Sequence, residues 1–95
     1  MPELDPLIHA PARLQVVTTL SAVSEAEFAT LRAALEVSDS VLSKHISALA
    51  DAGYVRSRKG VQAGRRTTWI ALTSTGRKAL REHVAALRQL IDVVD

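Results

Sequence analysis

The amino-acid sequence predicts one mostly helical domain that carries a single β-hairpin, with its elements in the order α-α-α-β-β-α. Apolar residues recur at helical spacing in several segments, and two β-branched and aromatic segments flank a connection that contains glycine. A chain of 95 residues can bury one hydrophobic core and little more. With 47% hydrophobic and 23% charged residues, the composition is that of a globular protein rather than a disordered one. We therefore expect residues 1–95 to form one domain.

Several classes of protein are excluded by what the sequence lacks. The chain has no cysteine, which rules out disulfides, thiolate metal sites and cysteine nucleophiles, and this usage fits a reducing compartment. Its first residues, MPELDPLIHAP, hold no apolar run of the kind that a signal peptide needs. No stretch approaches the roughly 18 apolar residues of a membrane span. We expect a cytoplasmic protein that does not contact membranes.

The positive charge is concentrated in one part of the chain. The net charge is only +2, but no acidic residue lies between Asp51 and Glu82. Exposed surfaces of globular proteins usually mix both signs, so a solvated surface is the less favoured interpretation. An acid-free basic segment indicates a polyanionic partner such as nucleic acid. Its seven basic residues from position 56 to 78 are Arg56, Arg58, Lys59, Arg65, Arg66, Arg77 and Lys78.

The first half of the chain is predicted to hold two helices before a short turn. A turn near residues 6–9 precedes a first helix from Pro11 to Ser21, since proline suits the first turn of a helix. A short extended piece is expected from Glu25 to Phe28. A second helix runs from Ala29 to Leu35. Residues 36–38 form a three-residue turn that leads into the next helix.

The third helix is predicted over residues 38–52 and is called here the reading helix. Ser38 is a suitable N-cap, and Gly53 suits the left-handed position after the last turn. At about 100° per residue, Leu42, Ile46 and Leu49 share the side that faces the core. The opposite side carries small or flexible polar groups: Ser40, Lys44 and Ser47, flanked by Val41 and Ser43. Two short helices with a three-residue turn and such an outer face are typical of a helix-turn-helix motif.

Short outward side chains would let the reading helix enter a major groove about 12 Å wide. Serine hydroxyls donate to or accept from base edges and phosphates, Lys44 can reach a guanine or a phosphate, and Val41 can touch a thymine methyl. The helix N-terminus also favours a phosphate. Asp39 is the complication, because it suits the helix dipole but lies close to the phosphates. The alternative is an exposed face that is serine-rich by chance.

The hairpin is predicted from residues 54–60 and 66–72, joined by a flexible basic tip over residues 60–65. Arg56 and Arg58 lie on one side of its first strand, whereas Val55 and Ser57 lie on the other. Next to the tip, Arg65 and Arg66 have side chains long enough to enter a narrow minor groove. Such a hairpin after a helix-turn-helix is a wing, so the predicted fold is a winged helix-turn-helix. The single tryptophan, Trp69, is predicted to be a core anchor of the hairpin rather than to stack on a base.

The terminal helix, capped by Thr73 and spanning about residues 74–94, predicts a homodimer. Its apolar stripe is broader than one small domain usually covers, and a second copy could cover it as in a coiled coil. Such a pair would place two reading helices about 34 Å apart on successive major-groove faces. The alternative is that one monomer packs both apolar rows. The residues predicted for the dimer interface are Leu80, Val84, Leu87, Leu90, Ile91 and Val94.

About residues 11–82 resemble the small winged helix-turn-helix transcriptional regulators of the MarR and ArsR type. Three motifs carry the resemblance: V-S-x-S-x-x-S-x-H from Val37 to His45, L-x-x-x-G-Y-V from Leu49 to Val55, and A-L-T-x-x-G-R from Ala71 to Arg77. The resemblance implies a homodimer, most often a repressor, that binds a double-stranded DNA operator. By position it implies DNA contacts from the reading helix (Ser38, Ser40, Val41, Ser43, Lys44, His45 and Ser47) and from the wing (Arg58, Lys59, Arg65 and Arg66).

Two positions depart from the family pattern. Members of this family often have glycine in the turn where this chain has Glu36. MarR wings often carry an aspartate before the paired arginines where this chain has Gly64, so a wing-bracing salt bridge of that kind is not expected. An unidentified small-molecule effector could bind between the first and last helices of a dimer, an expectation that rests on architecture alone.

Other functions receive less support from the residues. Three histidines, His9, His45 and His83, lack ligand-spaced partners, so no metal or other cofactor is expected. His45 lies at the edge of the core and is predicted to be half-buried. An enzyme is not expected, because Ser43 and His45 point away from each other on a helix and no phosphate loop or carboxylate pair occurs. The remaining alternative is a winged helix that contacts only proteins and does not bind DNA.

Overall fold

The helices and strands follow the predicted order. The computed structural model describes residues 3–94, and these form five helices and three strands. The predicted α-α-α-β-β-α order is confirmed, with a one-turn helix at residues 6–9 and a two-residue strand at the predicted extended piece. Met1, Pro2 and Asp95, which belong to the predicted domain, lie outside the described residues. The elements are α1 (Pro6–His9), α2 (Pro11–Ser21), β1 (Ala26–Glu27), α3 (Phe28–Leu35), α4 (Asp39–Asp51), β2 (Val55–Gln62), β3 (Arg65–Leu72) and α5 (Ser74–Val94).

One hydrophobic core is shared by the helices and the base of the sheet. The predicted core side of the reading helix is confirmed, since Leu42, Ile46 and Leu49 are buried. Each large side chain that leaves water in this way contributes about 1.5–3 kcal/mol. The core therefore fixes which face of α4 is left for solvent. Its buried members are Ile8, Val16, Val17, Leu20, Leu31, Leu42, Ile46, Leu49, Val55, Ile70, Leu72 and Leu80.

The ends of α4 are set by the two residues that the sequence predicts. The Ser38 side chain accepts a hydrogen bond from the Val41 N–H at 3.2 Å, which satisfies one unpaired donor of the first turn. Gly53 has a φ of +79°. The Gly53 N–H donates to the Ala50 carbonyl and the Tyr54 N–H to the Leu49 carbonyl, both at 2.9 Å. This pattern is a Schellman motif.

The turn between α3 and α4 depends on a left-handed residue that is not glycine. Glu36 follows α3 with a φ of 55° and a ψ of 45°. Glycine adopts this conformation without a steric penalty, whereas glutamate has a Cβ atom and does not. The chain turns sharply enough at this point for α4 to begin at Asp39, three residues later.

The hairpin tip is shorter than predicted. β2 and β3 pair without a break from Val55↔Leu72 to Gln62↔Arg65, so the flexible tip predicted over residues 60–65 is wrong. Ala63 and Gly64 have φ values of 52° and 76°, which are those of a two-residue type I′ turn. Such a turn matches the right-handed twist of paired strands and lets them extend to its edges. β1 adds a short antiparallel pairing to β3, in the sheet order β1-β3-β2.

The beginning of α5 is held tightly against the end of α4. The Thr73 hydroxyl accepts from the Gly76 N–H at 3.0 Å and donates to the Gly53 carbonyl at 2.6 Å, which confirms Thr73 as a cap. A Cβ atom at Gly76 would lie 2.1 Å from the Tyr54 carbonyl oxygen. The glycine in the A-L-T-x-x-G-R motif is therefore required by a close approach of backbone to helix.

The two halves of α5 have different surroundings. Leu80 is buried in the core of its own chain with 8% exposure, so its predicted place in the dimer interface is wrong: the first turns of α5 complete the monomer core. Further along, the helix leaves the core, and Leu90, Ile91, Val93 and Val94 are exposed. A helix of 21 residues is about 31 Å long, and its free end accounts for the 52 Å length of the molecule. None of the helices within residues 3–94 is long and apolar enough to cross a membrane.

Candidate nucleic-acid interface

The outer face of α4 is open to solvent along its length. Ser40, Ser43, Lys44 and Ser47 are exposed, Val41 is 41% exposed, and His45 is half-buried as predicted. The Ser38 hydroxyl oxygen is engaged in capping and lies 3.3 Å from the Ser40 hydroxyl. Short side chains on a convex helix face leave the backbone accessible to a groove of duplex DNA.

The acidic residue at the start of α4 is paired with a basic one. The Arg32 Nε lies 2.9 Å from the Asp39 Oδ1. Exposed ion pairs add little to stability, but this one offsets the negative charge that would otherwise face a phosphate. Arg32 on α3, which the sequence did not indicate, thus reduces the repulsion that Asp39 would exert on a phosphate.

A groove of about 370 Å³ separates α4 from the sheet. The Lys59 Nζ lies in it and donates to the Thr68 Oγ1 at 3.0 Å. No carboxylate lines the groove, whereas four hydroxyl groups and one ammonium group do, which is a suitable environment for a phosphate. The groove brings three predicted DNA-binding residues together with residues that were not predicted. Its lining is Phe28, Ser43, Ile46, Ser47, Ser57, Lys59, Thr68 and Ile70.

The wing has two faces with different partners. Because side chains alternate along a strand, Ser57 and Lys59 on β2 and Thr68 on β3 share the face that lines the groove. We call this the groove face, and Arg66 belongs to it by the same alternation. The opposite face, called here the outer face, carries Arg56, Arg58, Arg65, Thr67 and Trp69.

Arg58 is paired with a carboxylate and lies over an aromatic ring. It lies on the outer face, where its Nε donates to the Glu25 Oε2 at 3.0 Å and its second nitrogen also contacts that carboxylate. The hydrogen bond from Arg58 is the main reason why the pKa of Glu25 lies below its ordinary value. The guanidinium also lies over the Trp69 ring, 5.4 Å from its centroid. The side chain of Arg58 is thus held by the Glu25 carboxylate and the Trp69 ring of its own chain.

Trp69 packs against the hairpin backbone, but its predicted place in the core is wrong. A Cβ atom at Gly60 would lie 3.0 Å from the indole Cδ1 and Nε1 atoms, so the indole lies close against the backbone of β2. Glycine at position 60 leaves the room that the ring occupies. The tryptophan is half-buried on the outer face rather than in the main core.

Two of the three histidines, His9 on α1 and His83 on α5, pack against each other. His83 is fully buried, and its Nδ1 accepts from the Asp5 N–H at 3.0 Å. The His9 and His83 rings are 5.4 Å apart, a proximity that the 73 positions between them concealed in the sequence. Within residues 3–94, no group of three or more His, Cys, Asp or Glu side chains could hold a metal ion. Burial lowers the pKa of His45, as does the charge of Arg13.

Of the additional residues at this site, the sequence could have identified one but not the other two. Thr68 could have been identified, because it alternates with Arg66 and faces the same way. Arg32 and Glu25 could not, since their pairing with Asp39 and Arg58 depends on how the elements pack rather than on any local pattern.

Comparisons with known proteins agree with this geometry. A family model described as a winged helix DNA-binding domain matches residues 12–91. An uncharacterized protein of Methanocaldococcus jannaschii is 29% identical over 84 residues, which cover 88% of this chain and 91% of that protein. The structure of a transcriptional regulator homologue from Pyrococcus horikoshii is similar with a TM-score of 0.87 and 27% identity, over 94% of this chain and 88% of the other.

A structure solved with DNA shares the fold as well. The transcriptional regulator MosR of Mycobacterium tuberculosis, in complex with DNA, is 24% identical with a TM-score of 0.73, over 94% of this chain. This chain spans 63% of the length of that regulator. At that level of identity the similarity concerns the fold.

Proposed function

The chain belongs to the winged helix DNA-binding domain family, and from this premise we propose that it is a homodimeric, sequence-specific transcriptional regulator. The winged helix-turn-helix expected from the resemblance is confirmed by the family match, and a transcriptional regulator homologue that is 27% identical shares the fold. We propose that the dimer represses transcription by occupying a two-fold symmetric operator in double-stranded DNA.

The observation that carries this proposal is the groove between α4 and the wing. Its Lys59 ammonium and four hydroxyls, without a carboxylate, suit the DNA backbone. Ser40, Val41 and Lys44, which are exposed on α4, are assigned to base edges in the major groove. In this assignment Ser43, Ser47 and Lys59 hold phosphates, whereas Arg65 and Arg66 contact the backbone or the minor groove from the wing.

The homodimer is proposed from the free end of α5. Leu90 is 50%, Ile91 66% and Val94 87% exposed, and an apolar stripe of this kind is usually covered by a partner. A second copy fits, because a two-fold pair covers identical stripes on both chains at once. Leu87 and Val84, which are partly covered by their own chain, would extend the contact toward the core.

We also propose an effector site on α5. Along α5, Leu80, Val84 and Ala85 form an apolar depression beside Arg81 and Arg88. An apolar surface with two guanidinium groups suits an amphipathic anion. Competition for operator binding by such compounds, measured against neutral analogues of the same shape, would test it. Equal competition by the neutral analogues, or none by either set, would contradict it.

The central experiment is selection of bound duplexes from a random pool, followed by binding measurements at several salt concentrations. We expect a selected site with two-fold symmetry and half-sites about one helical turn apart. If two to four phosphates are neutralised in each subunit, the slope of log K against log salt should be roughly −4 to −7. Absent or salt-insensitive binding would refute DNA binding and favour a module that contacts only proteins.

Dimerisation has its own test. We expect the double substitution L90E/I91E to weaken self-association by at least about a hundredfold, because each chain loses apolar burial and gains charge in the interface. Sedimentation equilibrium of the wild type and the variant measures this. The control is K78E, which adds the same kind of charge at an exposed position nearer the start of α5. Unchanged association of L90E/I91E would place the interface elsewhere.

A further inference from the structure

The segment that precedes α3 holds both strands of the wing. Glu25 contacts Arg58 on β2, and the Glu27 Oε1 accepts from the Thr67 Oγ1 on β3 at 2.8 Å. Backbone pairing reaches only β3, through Ala26↔Ile70 and Glu27↔Trp69. Glu25 therefore links this segment to β2, at the edge of the sheet, through its contact with Arg58.

The carboxylate that holds Arg58 is itself on a fixed part of the chain. The guanidinium of Arg77, near the start of α5, donates to the carbonyls of Ser21 and Val23 at 3.2 and 3.3 Å. These two bonds secure the loop between α2 and β1. Glu25 is the last residue of this loop, so a force on Arg58 is transmitted to the helical body rather than to a free segment.

The arginine also covers the hairpin's aromatic anchor. Its guanidinium lies above Trp69, at the place where Gly60 lets the indole approach the backbone of β2. Two contacts with carboxylate oxygens and one with a ring determine the orientation of this side chain. Moving the guanidinium to a phosphate would break its contacts with the carboxylate and with the ring, and would uncover the indole. The outer face is also the one turned away from the groove that Lys59 lines.

We propose that Arg58 is a positioning residue of the DNA interface: by pairing with Glu25 it fixes the angle of the wing relative to α4. The proposal rests on the proposed function and assigns to Arg58 a role other than phosphate contact. An ion pair at this exposed place adds little to stability. Its effect is instead geometric, because a wing held at one angle presents Lys59 and Arg66 to the same duplex that α4 enters.

The test compares E25Q, R58Q and the double variant with the wild type on the selected operator across a salt series. R56Q is the matched control, since it removes the same charge from the same face of β2. We expect E25Q and R58Q each to weaken binding about five- to thirtyfold with an unchanged salt slope. The double variant should bind no more weakly than the weaker single variant, because both remove the same link.

The loss in E25Q is the decisive result. Removing an acidic group strengthens the attraction of a protein for DNA unless that group positions something. If Arg58 contacted a phosphate, R58Q would reduce the magnitude of the salt slope by about 1–2 for a dimer, and E25Q would bind as tightly as the wild type or more tightly. Either result would overturn the proposal.

A second readout needs no DNA. Because the chain has one tryptophan and Arg58 lies over it, quenching of Trp69 fluorescence by acrylamide should increase in both E25Q and R58Q but not in R56Q. Unchanged quenching in E25Q would show that Glu25 does not hold the arginine and would overturn the proposal. A wild type that fails to bind duplex DNA would refute the proposed function itself, whatever the fluorescence shows.

Discussion

Individual backbone positions explain residues that the sequence alone leaves puzzling. Glu36 is left-handed, in a turn where glycine would carry no steric cost. Gly76 packs against the Tyr54 carbonyl, where no side chain fits. At both positions the backbone conformation or the space around it, rather than the chemistry of a side chain, decides which residue suits the fold.

Asparagine should suit position 36 better than glutamine does. E36N should unfold with a free energy about 0.5–1 kcal/mol higher than E36Q, because asparagine tolerates the left-handed region better and both variants lose the same charge. Urea denaturation of the pair measures the difference. If the two variants were equally stable, the left-handed conformation would not be strained.

Adding a methyl group at Gly76 should have the opposite effect. G76A places a carbon 2.1 Å from a backbone oxygen, and the helix start must shift away from Tyr54. We expect a loss of at least about 2 kcal/mol in the free energy of unfolding. The neighbouring T75A, at an exposed position of the same turn, should change it by less than about 0.5 kcal/mol. A tolerated G76A would mean that α5 can move freely relative to α4.

At the scale of the elements, α4 and the wing are proposed to divide the work of binding. In S40A/K44A, discrimination between the operator and related sequences should fall, by about 1–3 kcal/mol for each base that the protein no longer recognises. In R65A/R66A, binding to all duplexes should weaken by similar factors, with a shallower salt slope. Binding of both variants to the operator and to several mismatched duplexes measures this. The division would be wrong if both pairs of substitutions had the same effect on selectivity.

An element is predicted well from the sequence when the interactions that determine it join residues close together in the chain. α4 is predicted to within one residue, because Ser38, Gly53 and the spacing of Leu42, Ile46 and Leu49 all act locally. The predicted tip is too long, since the I′ turn at Ala63 and Gly64 shows in the sequence only as one glycine. Residue type and spacing do not reveal that Arg58 pairs with Glu25 or that Leu80 packs in the monomer core, because these partners lie in elements distant in sequence.

At the scale of the whole molecule, the start of the described chain is tied to its last helix through Asp5. Its carboxylate caps α1 by accepting from the Leu7 N–H at 2.9 Å, and it accepts from the Tyr54 hydroxyl at 2.5 Å. Burial alone would raise the pKa of Asp5, but the hydrogen bonds from Tyr54 and the backbone outweigh it and lower that pKa. The same carboxylate raises the pKa of Tyr54 to about 12. The Asp5 N–H completes the tie by bonding to His83.

This tie should weaken in mild acid. Burial lowers the pKa of His83 below its ordinary value of 6.5, and the nearby His9 adds to this effect. The unfolded chain therefore takes up a proton first, so the contribution to stability is complete above pH 6.5 and is lost as the pH falls toward the folded pKa. Protonation of Nδ1 would also break the bond from the Asp5 N–H.

Urea denaturation between pH 7.5 and 5.5 measures the dependence. We expect the free energy of unfolding to fall with pH in the wild type and to fall less steeply in H83N. Part of the slope should remain, because the pKa of His45 is also lowered. H45N, which keeps His83, serves as the comparison and should retain the His83 part. An H83N variant with the full wild-type slope would contradict this origin.

The division of α5 has a consequence for how such a protein can diverge. Its early turns close the core and hold Gly76 against α4, whereas Leu90, Ile91 and Val94 touch neither the core nor the DNA-facing surface. If the free end pairs two chains as proposed, mutations there would alter which chains associate with one another at little cost in folding. After duplication of such a gene, two copies could become separate, non-mixing assemblies through a few changes in the last two turns of one helix.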